Sequence, residues 1–176
     1  KTTFLPFLII AVTHVLREFP DFNSSLSTDK ETLIHKKYYH IGVAVDTPGG
    51  LVVPIIKDTN KKDMSALSME LEDLSNRARE KKLKPEELKG GTFTISSLGG
   101  IGGTYFSPIV NPPEVAILGV SRARWKPTML KGKKTFTARY ILPFSLTYDH
   151  RVVDGAQAAA FTQYLAKVMS NTSFFE

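Results

Sequence analysis

The sequence contains no cysteine. That absence excludes a disulfide framework, a thiolate nucleophile on the protein, an iron–sulfur cluster and any zinc site built on sulfur, and it fits a reducing compartment. Long apolar runs are also missing. The longest, residues 4–12, is ended by Thr13 and His14, far short of the ~20 residues that a membrane-spanning helix needs. No signal-peptide pattern, internal repeat, low-complexity segment or dividing linker is found. A chain that starts on Lys1 and not on Met is expected to be a piece of something longer.

What is present describes one globular unit over residues 1–176. With 42% hydrophobic and 23% charged residues the chain is not intrinsically disordered. It lies below the roughly 250 residues at which cores divide, and it buries about 70% of its unfolded surface, enough to fold without metal or disulfide. The net charge of +6 is unevenly spread, because residues 121–140 hold seven basic side chains and no acidic one. By itself that stretch is open between a surface for nucleic acid, an anionic membrane or a phosphorylated cofactor, and a solvated basic hairpin. No nucleic-acid recognition motif accompanies it.

Periodicity predicts a helix over residues 2–19, with Pro6 in its first turn and Pro20 at its end. It is apolar nearly all round and is therefore expected to be buried. Strands at 41–45 and 51–56 flank Asp46-Thr47-Pro48-Gly49-Gly50, a hairpin turn, and Pro54 puts the second strand at an edge or a bulge. Met64, Leu67, Leu71, Leu74 and Ala78 recur every three or four residues and predict a helix over 63–83, ended by Lys84-Pro85. A third helix is expected over 156–170, with Ala158, Phe161, Leu165 and Val168 as its core stripe, and strands at 92–96, 115–121 and 140–148. Such a mixture implies an α/β two-layer sandwich with a mixed β-sheet.

Two stretches can carry chemistry. Phe93-Thr94-Ile95-Ser96-Ser97 runs into Leu98-Gly99-Gly100-Ile101-Gly102-Gly103-Thr104, but the spacing matches neither Gly-x-Gly-x-x-Gly nor the Walker pattern. It reads as a tight bend where another backbone approaches closely, with Ser96 and Ser97 at the strand end. The second stretch is Asp149-His150-Arg151-Val152-Val153-Asp154-Gly155. Asp154 has the spacing of a capping box with Gln157. His150 is either a satisfied core histidine or a functional one, and four ionisable groups this close beside a strand call for paired charges and shifted pKa values. A metal is not expected, since His14, His35 and His40 are scattered and offer His150 and Asp154 no further ligands. A Ser–His–Asp hydrolase lacks its Gly-x-Ser-x-Gly elbow.

Asp149-His150-Arg151-Val152-Val153-Asp154-Gly155 resembles the signature of the dihydrolipoyl acyltransferase core components of 2-oxo acid dehydrogenase complexes. Its His-x-x-x-Asp-Gly core is shared with the chloramphenicol acetyltransferase superfamily. Phe19-Pro20-Asp21-Phe22-Asn23, Ile41-Gly42-Val43-Ala44-Val45-Asp46-Thr47, Gly50-Leu51-Val52-Val53-Pro54, Phe93-Thr94-Ile95-Ser96 and Pro113-Glu114-Val115-Ala116-Ile117-Leu118-Gly119 are similar to further family blocks, in family order. No lipoyl domain, peripheral subunit-binding domain or Pro/Ala-rich linker is found, and the opening of the catalytic domain is expected to be missing before Lys1.

The resemblance implies a chloramphenicol acetyltransferase-like fold and acyl transfer from a dihydrolipoyl thioester to coenzyme A. His150 would be the general base on the thiol; an imidazole ordinarily titrates near ~6.5 and a thiol near ~8.5, so a positioned base can form the thiolate during attack. Ser96 would hydrogen-bond the oxyanion, with Ser97 as the neighbouring competitor, since alternation lets one of the two point into the site. Asp154 would hold the His150 loop in shape, through a charge pair with an arginine, Arg151 being a weaker candidate of the same kind. Arg122 and Arg124 would meet coenzyme A phosphates, with Ser97 beside them. The 96–111 segment is most similar to the acetyl (pyruvate) branch and leans towards a bacterial cytoplasm, against a mitochondrial matrix. Members form homotrimers, with histidine facing serine across the subunit boundary. Trimers build a cubic or dodecahedral core that works with decarboxylase and dihydrolipoyl dehydrogenase components; neither nucleic acid nor a membrane is an expected partner. The competing reading is a non-catalytic core component that keeps the fold alone.

Overall fold

The computed structural model describes residues 4–129, 132 and 134–175. Among them the chain forms α1 (Leu5–Glu18), a 3₁₀ turn (Pro20–Asn23), β1 (Ser24–Leu26), β2 (Leu33–His35), β3 (Ile41–Val43), β4 (Val45–Thr47), β5 (Gly50–Val52) and β6 (Ile55–Ile56). There follow α2 (Met64–Arg79), β7 (Phe93–Ser97), β8 (Ala116–Val120), β9 (Arg124–Met129), β10 (Phe136–Ile141), β11 (Phe144–Tyr148) and α3 (Gly155–Met169). No helix among the described residues is long and apolar enough to cross a membrane.

The helices form where their caps allow. Pro6 sits in the first turn of α1, where a missing N–H costs nothing; Thr2 and Thr3, the start of the expected helix, lie outside the described residues. Asp63 caps α2, accepting the Ala66 N–H at 2.8 Å. That helix stops at Arg79, short of the expected 83, because Lys81 turns left-handed with φ 57°. In α3 the four expected core residues, Ala158, Phe161, Leu165 and Val168, are all buried.

A five-stranded sheet, ordered β11-β8-β7-β3-β6, carries the helices on one face. β7 runs parallel to β3 and β8, while β11 and β6 are antiparallel edges, so the sheet is mixed. Alternation sends Ile41, Val43, Phe93, Ile95, Ala116, Leu118 and Val120 to the helix side, where they pack with Leu8, Leu16, Leu67 and Phe161. The architecture is the two-layer sandwich that the pattern implies.

Two strand predictions need correction. Residues 41–45 and 51–56 keep one antiparallel register, Ile41↔Ile56 and Val45↔Val52, but the ladder divides between them. The Ala44 N–H donates to Ile95 O at 2.9 Å, and Pro54 has no N–H to give. The tip therefore leaves as β4 and β5, and β6 remains as an edge strand. The expected strand over 140–148 is two strands separated by Leu142-Pro143: β10 pairs with β9, β11 with β8.

The basic stretch forms the β9–β10 ribbon; Leu130, Lys131 and Lys133 lie outside the described residues. It is not simply a solvated basic hairpin. Trp125 and Tyr140, and Met129 and Phe136, are cross-strand partners on one face, all exposed, while Lys126 and Arg139 pair on the other.

The reading of the glycine loop as a close backbone approach also changes. A β-carbon at Gly100, Gly102 or Gly103 would meet nothing within 4 Å, and what the loop requires there is positive φ, 146° at Gly102 and 83° at Gly103. Close approach occurs instead at Gly119, where a β-carbon would lie 2.7 Å from Ser145 Oγ, 2.9 Å from Pro108 Cδ and 3.1 Å from Phe106 Cζ. The segment after the glycine loop lies across the outer face of the sheet at that point, and the Ser145 hydroxyl donates to Phe106 O.

Glu114 is buried beside this face, with Oε2 lacking a hydrogen-bond partner among the described residues. Burial raises its carboxyl from 4.5 to about 7, against the opposing pull of the Thr94 hydroxyl and the Lys36 ammonium.

Two outcomes follow from this packing. Gly119→Ala is expected to destabilise the fold by about 1–3 kcal/mol, as overpacking does, read as a lower urea midpoint at unchanged slope. Between pH 4.5 and about 7 the folded chain keeps a proton on Glu114 that the unfolded chain has released, so this group's contribution to stability is lost as pH rises through that window. Glu114→Gln is expected to remove that dependence: its melting temperature should fall less than the parent's between about pH 5 and about pH 8.

Candidate functional site

Ser96 and Ser97 close β7, and the register sends them to opposite faces. Ser96 pairs with Gly119, which pairs with Ser145, on the face away from the helices. Ser97 pairs with the buried Val120, on the helix side, and its Oγ accepts the Gly99 N–H at 3.4 Å. Arg122 donates to Gly99 O at 3.2 Å and Gly100 O at 3.0 Å, and Arg124 donates to Thr104 Oγ1 at 2.9 Å. Ser97, Arg122 and Arg124 thus hold the glycine loop that leaves Ser96.

His150 occupies the turn between β11 and α3, and it is exposed, not a core histidine. The turn is pinned ahead of it, where the Asp149 N–H donates to Val115 O at 2.8 Å. Behind it, the N–H groups of Val152 and Val153 return to Asp149 O at 3.0 and 3.1 Å, and the Val153 side chain is buried. The His150 ring makes no hydrogen bond among the described residues; it lies 5.6 Å from the Tyr148 ring, tilted by 43°.

The expected charge pairing exists, between other partners. Asp149 Oδ1 accepts the Arg151 N–H at 3.0 Å and Nε–H at 2.9 Å. The Arg151 guanidinium holds the Asp149 carboxyl below its usual range, and the carboxylate raises the guanidinium in return. Asp154 forms no ion pair with an arginine among the described residues. It caps α3 instead: its Oδ1 accepts the Gln157 N–H at 2.8 Å, and Gln157 Oε1 accepts the Asp154 N–H at 3.2 Å. That reciprocal pair is the capping box its spacing announced.

Sequence reasoning missed the part played by Asp149, although an Asp two residues before the bonded N–H is the pattern of an Asx turn. It also missed Tyr148 and the cover formed by Phe106 and Pro108. No sequence signal identifies those contacts, since they join strands distant in the chain. A groove of about 400 Å³, lined among others by Tyr148, Asp149, Arg151 and Glu114, opens beside the His150 turn. No cluster of three or more potential metal-ligating side chains is found among the described residues.

The chain does not bring Ser96 and His150 together. Ser96 lies in the row of Ser145, and Tyr148 is three residues further along β11 and two strands across. At ordinary strand dimensions Ser96 and Tyr148 are about 14 Å apart, and His150 lies beyond the strand's end. Chemistry that uses both groups on one substrate needs two copies of the chain.

Residues 1–175 match the model of the 2-oxoacid dehydrogenases acyltransferase (catalytic domain) family. The dihydrolipoyllysine-residue acetyltransferase component of the pyruvate dehydrogenase complex of Pseudomonas aeruginosa is 54% identical over 171 residues, covering 97% of this chain and 31% of the relative. Its counterpart in Buchnera aphidicola subsp. Schizaphis graminum is 52% identical, covering 99% of this chain and 43% of the relative. The chain therefore spans less than half the length of these relatives. Among solved structures, Azotobacter vinelandii dihydrolipoamide acetyltransferase superposes with a TM-score of 0.94 at 53% identity, covering 97% of this chain and 70% of that one. The cubic core of a pyruvate dehydrogenase multienzyme complex also gives 0.94, at 52% identity and the same coverages. A chloramphenicol acetyltransferase gives 0.59 at 15% identity, covering 99% of this chain and 78% of that one, a likeness of fold alone. The chain belongs to the acyltransferase catalytic-domain family of the 2-oxoacid dehydrogenases.

Proposed function

We propose that the chain is the greater part of an acetyltransferase core that moves an acetyl group from S-acetyldihydrolipoyl to coenzyme A. The observation that carries this reading is the placement of its two chemical groups. Ser96 closes a strand on the sheet face left free of helices, and His150 is exposed on a turn fixed at both ends. Their separation within one chain supports a site in which the two meet across a subunit boundary.

In this mechanism an unprotonated nitrogen of His150 takes the proton of the coenzyme A thiol as its sulfur attacks the acetyl carbonyl. Ser96 donates its hydroxyl hydrogen to the developing oxyanion. Collapse breaks the bond to the lipoyl sulfur, which receives the proton back from the imidazolium, while the acetyl group remains on coenzyme A. No protein thiol is required, in keeping with a chain without cysteine.

Asp154 contributes shape. In the A. vinelandii relative, the histidine and asparagine whose role in the catalytic mechanism was investigated are four residues apart, the spacing of His150 and Asp154 here. Asp and Asn differ in charge but share the acceptor oxygen that caps a helix, so the cap is the property common to both. Ser97, Arg122 and Arg124 are hydrogen-bonded to the loop after Ser96, which supports a part in shaping that loop beside the contacts with coenzyme A proposed for them.

The homotrimer that the family resemblance implies is a closed ring in which each His150 can meet the next subunit's Ser96. Assembly of such trimers into a cubic core is supported by the cubic relative. The lipoyl group, the decarboxylase and the dihydrolipoyl dehydrogenase belong to the proposal for the whole protein, and the bacterial relatives support a bacterial cytoplasm.

Acetyl transfer between acetyl-CoA and dihydrolipoamide tests this reading. His150→Ala is expected to lower kcat by about 10²–10⁴ with unchanged sedimentation; equal turnover in both proteins would remove the mechanism, and a parent without turnover would leave the non-catalytic core component. Ser96→Ala is expected to lower kcat by about 10²–10³ while the KM for coenzyme A changes little; a defect confined to KM would contradict an oxyanion role. Co-assembly of the two inactive variants in equal amounts should restore activity at about a quarter of the sites, those pairing an intact His150 with a neighbour's intact Ser96. Mixed assemblies as inactive as either parent would contradict a site shared between subunits.

A further inference from the structure

The Asp154–Gln157 capping box is tied to a distant part of the chain. Gln157 Nε2 donates to Asp21 Oδ2 at 2.8 Å across 136 residues of sequence. The other oxygen of Asp21 meets His35 Nε2 at 2.8 Å. Asp21 belongs to the 3₁₀ turn after α1, and Ser24 Oγ steadies that turn by donating to Asp21 O at 2.6 Å. A chain of side chains thus runs from β2 through Asp21 and Gln157 to the residue that starts α3.

We propose that Asp21 and Gln157 are positioning residues, forming a brace that fixes the rear of the His150 turn through the Asp154 cap. The proposal rests on the reading of His150 as general base. The front of the turn is held by the bond from Asp149 to Val115 O. At the rear, the Gln157 amide is engaged at both ends, its oxygen on the Asp154 N–H and its nitrogen on Asp21. With no hydrogen bond of its own among the described residues, the His150 ring takes its place from the backbone that carries it. A displacement of 1 Å in a reacting group can cost about 10²-fold in rate, so small freedom at α3's first turn reaches the chemistry.

The donor pattern gives a specific test. Either Gln or Glu at the third helical position completes a capping box. Gln157→Glu therefore keeps the cap and sets a second carboxylate against Asp21, where like charges repel. Adding Asp21→Asn supplies an amide N–H to the new carboxylate and still leaves an oxygen for His35. The brace is then rebuilt with its polarity reversed.

In the assembled protein, assayed for acetyl transfer beside His150→Ala, Gln157→Glu is expected to lower kcat about tenfold or more. Both KM values should stay within about twofold, with unchanged sedimentation. The double variant Gln157→Glu/Asp21→Asn is expected to recover most of the lost kcat. A purely structural contact would move melting temperature without this split and rescue. Unchanged kcat in Gln157→Glu, or a loss that Asp21→Asn does not repair, overturns the brace while a collapse in His150→Ala leaves the base reading standing. Unchanged turnover in His150→Ala overturns that reading, and the brace with it.

Discussion

Helices packed on one side of a sheet can bury only every second residue of each strand, and the rest of this molecule depends on that limit. On β7 and β8 the odd and even positions have divided their tasks. Phe93, Ile95, Leu118 and Val120 enter the core, while Thr94, Ser96 and Gly119 face the other way. The outer face is therefore polar and short of bulk where Ser96 emerges. Gly119 makes that possible, because any larger residue would strike Ser145 and the Phe106–Pro108 segment laid over it. The same alternation separates Ser96 from Ser97 and gives the two hydroxyls different surroundings.

The turn that carries His150 is built on a second principle, rigidity from many small bonds and not from burial. Its backbone is tied to β8 through Val115 and closed on itself through Asp149, and it passes into a helix whose cap is reciprocal. Arg151 and Asp149 neutralise one another beside it. Among the described residues the imidazole of His150 is exposed and without a hydrogen bond, while the other ionisable groups of the cluster have partners. Such an arrangement suits the proton exchange proposed for His150 with a ligand arriving from outside the chain.

Much of the fold was legible in the sequence because helix stripes and caps are local. The stripe of α3 spans about three turns and the Asp154–Gln157 box about one, and both appear as read. Strand limits were less legible. The break at Ala44 depends on a hydrogen bond to Ile95, some fifty residues away, and the split at Leu142-Pro143 depends on two different partner strands. The bonds from Arg122 to Gly99 and Gly100 were not legible, because charge is visible in a sequence whereas the carbonyls that receive it are not.

By itself the sequence determined the class of fold and the family, and it marked the residues proposed for the chemistry. Each of these is written in spacing along the chain: the period of a stripe, the four residues from His150 to Asp154, the ordered blocks around them. Tertiary structure alone decided what those residues face. It put Ser96 outward and Ser97 inward, gave Asp149 the arginine expected of Asp154, and held His150 too far from Ser96 for one subunit to use both. The physical reason is that register and close packing join residues scores of positions apart, and such contacts leave no periodic trace in the chain that makes them.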